Sequence, residues 1–142
     1  MNPGVLFGKR EEKLFLEGIR LFNDRKFWEA HETFEDVWRA QKGDAKKLVQ
    51  GFVQAAAALS YIAKRRYESI LYLLDKSVEK LSAMKDFLPG LEISSLIDSL
   101  RRIKEEVRQI GEEGLGRFDP SGYPVIKSRR RPARSKRRPT AS

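Results

Sequence analysis

His31, Glu35 and Trp38, within the stretch FWEAHETFEDVW (27–38), have types and spacing that could do chemistry. His31 is the one histidine of the chain. A histidine and a carboxylate four residues apart on a helix can reach each other. Such a pair can fix an imidazole tautomer, ligate a cation or take a proton. Helical periodicity limits these options. With Phe27 as origin, Ala30, Phe34, Val37, Phe27 and Trp38 share an arc of about 100°. His31 lies just beyond Trp38, still on the apolar side, and Glu35 falls one step further out beside Trp28. Glu29, Glu32, Thr33 and Asp36 fill the solvated face. His31 and Glu35 therefore occupy the shoulder of the buried stripe, where an unpaired polar group costs about 1–3 kcal/mol. Glu35 is expected to hold one imidazole nitrogen. Gln54 or Gln50, one turn apart in an apolar segment, is expected to meet the other.

The leading reading of the pair is structural, a hydrogen-bonded lock between the second helix and the third, because most buried polar side chains are paired. A small-molecule or peptide pocket of His31, Glu35, Trp38, Gln54 and Gln50 comes next. A metal site is weaker: with one His and no Cys, only carboxylates would complete the shell. Catalysis with His31 as base is weakest, since neither a serine elbow nor a second histidine supports it. No catalytic residue, metal or cofactor is assigned. Trp28 points away from the core centre, either to a partner or beneath the first helix or a later strap.

Five helical segments must position these residues, and no strand is convincing. The first runs from about Lys9 to Asn23, with Leu14, Phe15, Gly18, Ile19 and Phe22 on one face. The second runs from about Phe27 to Gln41 and stops at Lys42-Gly43. Asp44 suits the N-cap of a third, to about Lys64, which is apolar on most sides and so belongs at the centre. Gly51, Ala55 and Ala58 share a face of it that would admit a close neighbour. The fourth runs from about Tyr67 to Phe87, with Ile70, Leu74, Val78, Leu81 and Leu88 in line before Pro89-Gly90. The fifth, about Ser95 to Ile110, buries Leu96, Leu100, Ile103, Val107 and Ile110, with Gly111 beyond its end. Residues 112–126 form a strap anchored by Phe118, Tyr123 and Ile126. NDRKFWEAHETFED and AKRRYESILYLLDK align at an offset of 40, which reads as two helical hairpins rather than a repeat array.

The chain has 142 residues, 40% hydrophobic and 35% charged, enough for one domain with a modest core. Without cysteine it has neither a disulfide nor a thiolate site. No apolar run is long enough to span a membrane, and the N-terminal stretch lacks signal-peptide features, so the cytoplasm is the expected location. The net charge is +9. Eight cations fall in residues 127–142: Lys127, Arg129, Arg130, Arg131, Arg134, Lys136, Arg137 and Arg138. Taking these eight from +9 leaves about +1 for residues 1–126. The tail is expected to be disordered and to offer RNA or another polyanion a salt-dependent, non-specific hold. It carries no aromatic residue for base stacking.

His31, Glu35 and Trp38 match an HxxxExxW signature, and here the sequence resembles the domain-of-unknown-function family 309. LFNDRKFWEAHETFEDVW resembles that family's first helical hairpin, and VQGFVQAAAAL its glutamine- and glycine-containing central helix. The resemblance covers roughly residues 14–85, with YPVI at 123–126. It implies a small all-helical bundle and carries no activity with it; the long basic tail departs from the family's pattern.

The sequence thus predicts an all-α single-domain bundle: five helices in antiparallel hairpins around a central third, with a domain over 1–126 and a tail over 127–142. The function expected of it is a non-enzymatic binding or scaffold domain, as monomer or homodimer. The alternative is a metal- or ligand-binding protein or enzyme centred on His31 and Glu35. The absence of a P-loop or dinucleotide fingerprint argues against nucleotide chemistry.

Overall fold

The computed structural model describes residues 7–129. Five helices follow one another: α1 (Lys9–Asn23), α2 (Phe27–Arg39), α3 (Gly43–Ala63), α4 (Tyr67–Met84) and α5 (Ile93–Gly114). Among the described residues there is no strand, only an isolated antiparallel bridge between Leu91 and Ser128. The all-helical architecture read from periodicity is therefore present, and α3 lies at its centre, packed on α2 and on α4. Ten α3 residues are buried, from Leu48 to Ile62, as an element apolar on most sides requires.

Where α1, α2 and α3 meet, the rings of Phe15, Phe34 and Phe52 lie 5.1–5.5 Å apart, centre to centre. Two glycines permit the close approaches around them. A Cβ on Gly18 of α1 would come within 2.5 Å of the Phe34 ring. A Cβ on Gly51 of α3 would sit 2.9 Å from Leu81 of α4. The Gly51 carbonyl also accepts a buried hydrogen bond of 2.7 Å from the Ser77 hydroxyl. The small-residue face of α3 thus admits α4, as its sequence predicts.

The offset of 40 corresponds to a repeated turn. Arg25 and Arg65 both adopt left-handed backbone, with φ of 66° and 57°. Arg25 N–H donates to the Phe22 carbonyl and Lys26 N–H to that of Leu21; Arg65 and Arg66 donate in the same way to Ile62 and Tyr61. This is the hydrogen-bond pattern that closes helices with a left-handed residue. Each turn then opens the next helix, through Lys26 to α2 and Arg66 to α4.

Several boundaries differ from the expectation. α2 ends at Arg39 and Gly43 has φ of 60°, so Asp44 lies in the first turn of α3 and Lys42 takes the cap position. α4 stops at Met84, before Pro89, because Leu88 and Leu91 turn inward within the loop. Gly111, at φ of 72°, breaks helical geometry inside α5, after Ile110.

The strap lies across the hairpin turns. Phe118 and Ile126 are buried, and the Tyr123 ring packs on Phe27 at 4.9 Å and Phe118 at 5.3 Å. The Asn23 side chain donates to the Ile126 carbonyl at 3.0 Å and accepts from its N–H at 2.7 Å. Contacts continue past Ile126. Glu92 N–H donates to the Lys127 carbonyl, and Arg129 N–H to that of Gly90, both at 2.9 Å. Of the tail cations, Lys127 and Arg129 are exposed, while Arg130, Arg131, Arg134, Lys136, Arg137 and Arg138 lie outside the described residues.

Candidate functional site

Trp28, His31, Glu35 and Trp38 recur along α2 at intervals of three and four, on a strip beside the buried Phe27, Ala30, Phe34 and Val37. Lys46, Gln50, Gln54, Tyr61 and Lys64 recur along α3 within an arc of about 80° at 100° per residue. The two strips flank the α2–α3 seam. One end is pinned by Lys46, whose Nζ lies 4.3 Å from the centre of the Trp38 ring. At the other, Lys64 Nζ lies 4.5 Å from the Trp28 ring, and Tyr61 stands 6.4 Å from it. His31 and Glu35 fall between these pins, opposite the part of α3 that carries Gln50 and Gln54. All five expected residues thus belong to one seam, half-buried.

The expected partnership between His31 and Glu35 is not made. Glu35 Oε1 accepts from Arg39 at 3.3 Å, and His31 Nδ1 is buried without a hydrogen-bond partner. The reason is electrostatic. Arg39, also four residues away, offers a charged donor at the solvent edge, which suits a carboxylate better than a neutral imidazole on the buried side. Trp38 Nε1 and Gln54 Oε1 are likewise buried and unpartnered, so Gln54 does not satisfy the imidazole nitrogen either. Its ring instead stacks on Trp28, at 4.6 Å and 22° between planes.

Burial holds the His31 imidazole below its usual pKa; Glu35 and Glu32 oppose this, and Arg39 adds to it. The ring is neutral at physiological pH, with one nitrogen to donate and one to accept. Trp38 contributes an indole donor and Gln54 an acceptor. A metal is poorly served, since among the described residues no three His, Asp or Glu side chains are grouped to hold one. What the seam can do is hydrogen-bond a group that carries both a donor and an acceptor, between two aromatic rings capped by ammonium groups.

Tyr61, Lys46 and Lys64 escaped the sequence reading, and Trp28, read as an outward aromatic, was not placed in this seam. Their signals were the three-residue step from Trp28 to His31 and the recurrence of steps of four, four, seven and three residues from Lys46 to Lys64. Trp28, 39% exposed, packs in this seam on His31 and Tyr61.

No solved structure matches the chain. A protein of Aquifex aeolicus (strain VF5), described as an uncharacterized protein, is 26% identical over 119 residues, which are 83% of this chain and 32% of the relative. The chain thus spans about a third of that relative's length. No described helix is long and apolar enough to cross a membrane. The family model described as domain of unknown function (DUF309) matches residues 15–73, from Phe15 in α1 to Leu73 in α4. The match takes in both hairpin turns and the whole α2–α3 seam, and over those residues the chain is similar to the DUF309 family.

Proposed function

We propose that the chain is a non-enzymatic binding domain whose ligand lies along the α2–α3 seam. The supporting observation is the set of three buried, unpartnered polar atoms on one seam: His31 Nδ1, Trp38 Nε1 and Gln54 Oε1. Each costs about 1–3 kcal/mol while unpaired, and a ligand that satisfies them recovers that energy. A peptide group has the matching chemistry, with a carbonyl for the indole N–H and an N–H for the glutamine oxygen. Glu35, turned to Arg39, borders the site rather than activating His31, which favours binding over proton transfer.

The two tryptophans of the chain, Trp28 and Trp38, both line the seam, so tryptophan emission, excited selectively, reports on it. Titration with N-acetyl amino-acid amides is expected to shift that emission for the parent and not for a Gln54→Met variant. In urea unfolding without ligand, Gln54→Met is expected to be as stable as the parent or up to about 2 kcal/mol more stable, since it removes an unpaired buried acceptor. A closed structural lock requires the opposite, a loss of about 1–3 kcal/mol. That loss, with unresponsive emission, refutes the proposal.

A further inference from the structure

The net charge of residues 1–126 is close to neutral, but the structure distributes it unevenly. Both hairpin turns are cationic, with Arg25-Lys26 in the first and Lys64-Arg65-Arg66 in the second. They adjoin, because Lys64 lies over the Trp28 ring that opens α2, and Trp28 neighbours Tyr61. Arg66 also covers Tyr61, at 5.0 Å. The strap draws both turns together. Arg25 packs over Tyr123 at 5.6 Å, and the Arg65 guanidinium lies so near Gly116 that a Cβ there would meet it at 2.7 Å. Arg117 follows Gly116.

Six cations (Arg25, Lys26, Lys64, Arg65, Arg66 and Arg117) are thus gathered at one end, all exposed. None of them forms an ion pair among the described residues, whereas Arg10, Arg20, Arg39, Lys76, Arg101 and Lys104 do. Of the carboxylates nearest in sequence, Glu68 is exposed and forms no ion pair, and the other two are engaged. Asp24 holds Arg20, and Asp119 accepts from Ser121. The strap then leads from this end, through Ile126 bonded to Asn23, to the exposed Lys127 and Arg129.

We infer that the hairpin-turn end of the bundle is a docking surface for the phosphodiester backbone of a single-stranded nucleic acid. Four of the six cations are arginines, whose planar guanidinium matches phosphate oxygens two at a time. A chain of phosphates can engage several separate cations at once, which a compact anion cannot. An acidic membrane surface fits less well. Of the large exposed apolar side chains, only Trp28, beneath Lys64, and Val125, in the strap, adjoin this end. Five of these cations lie outside the seam, Lys64 is shared with it over the Trp28 ring, and none supplies an unpartnered atom of that site.

The test uses the full chain and a fluorescein-labelled 20-nucleotide poly(U) RNA, followed by anisotropy across a salt series. A triple variant, Lys26→Gln, Lys64→Gln and Arg66→Gln, removes three exposed cations from the end. A second triple variant, Lys76→Gln, Lys85→Gln and Arg101→Gln, removes the same charge from α4, the loop after it and α5. The first is expected to bind on the order of a hundredfold more weakly at 0.1 M salt, with a log–log salt slope shallower by about 2, at about 0.7 per phosphate contact on a single strand. The second is expected to bind like the parent, and both should keep the parent's helical circular dichroism. Equal losses in both variants, no loss in the first, or no RNA binding by the parent would overturn the proposal. So would tighter binding of the parent to phosphatidylcholine–phosphatidylserine vesicles than to the RNA at the same salt.

Discussion

His31 carries a pH dependence whose sign follows from its surroundings. Burial depresses its folded-state pKa below the unfolded value, against Glu35 and Glu32. The unfolded chain therefore binds the proton more readily, and the stability due to the neutral ring is full above about pH 6.5. It is lost as pH falls through the depressed value. Urea unfolding between pH 7.5 and 5 should show stability declining on acidification, with the decline reduced in His31→Gln. An unchanged slope would mean that the ring is equally solvated in both states. The glycines give a second contrast at this scale. Gly18→Ala drives a methyl into the Phe34 ring, with an expected net loss of about 1–3 kcal/mol even after the roughly 1 kcal/mol that alanine adds to a helix. Gly51→Ala meets Cδ2 and Cγ of the buried Leu81 at 2.9 and 3.0 Å rather than a ring at 2.5 Å and should lose less, about 0.5–2 kcal/mol. Thermal melts of the two would check this order.

Between neighbouring helices the repeated turn does the organising. Arginine at a left-handed position costs roughly 1–2 kcal/mol that glycine would not, and both arginines spend their side chains on the strap, on Tyr123 and at Gly116. The strap is further held by two hydrogen bonds from one side chain, that of Asn23. Asn23→Ala removes both and leaves the half-buried Ile126 amide unpaired, for an expected loss of about 1–3 kcal/mol. Hydrogen exchange should locate the change. Amides from Phe118 to Ser128 are expected to exchange faster while those of α3 keep their protection. Uniform acceleration would show that the strap and the bundle open as one unit.

Over the molecule as a whole, Phe52 is the point of greatest consequence. Its ring joins Phe15 of α1 to Phe34 of α2 from the central helix, so three elements depend on one side chain. Phe52→Ala is expected to cost about 3–5 kcal/mol, against a total of about 5–15 kcal/mol for an ordinary domain. Denaturant unfolding should show a single transition at a much lower midpoint. Survival of one hairpin as a separate transition would mean that α3 does not couple the two.

The sequence alone determined the helices, the central place of α3 and the inward faces, because a period of 3.6 read from Phe15, Phe22, Phe34, Leu74 and Leu100 fixes which side must leave water. It also brought out His31, Glu35, Trp38, Gln50 and Gln54, and the offset of 40 between the turns. Side-chain partners were beyond it. The choice of Glu35 between His31 and Arg39 turns on which direction leads to solvent, and periodicity gives faces, not rotamers. The stacking of Trp28 on His31 and the caps of Lys46 and Lys64 depend on how α2 and α3 register against each other. So does the gathering of cations at the turns, which composition averaged to near neutrality. Local pattern sets what each helix buries; only the packing of helices separated along the chain decides which polar groups find partners and where charge accumulates.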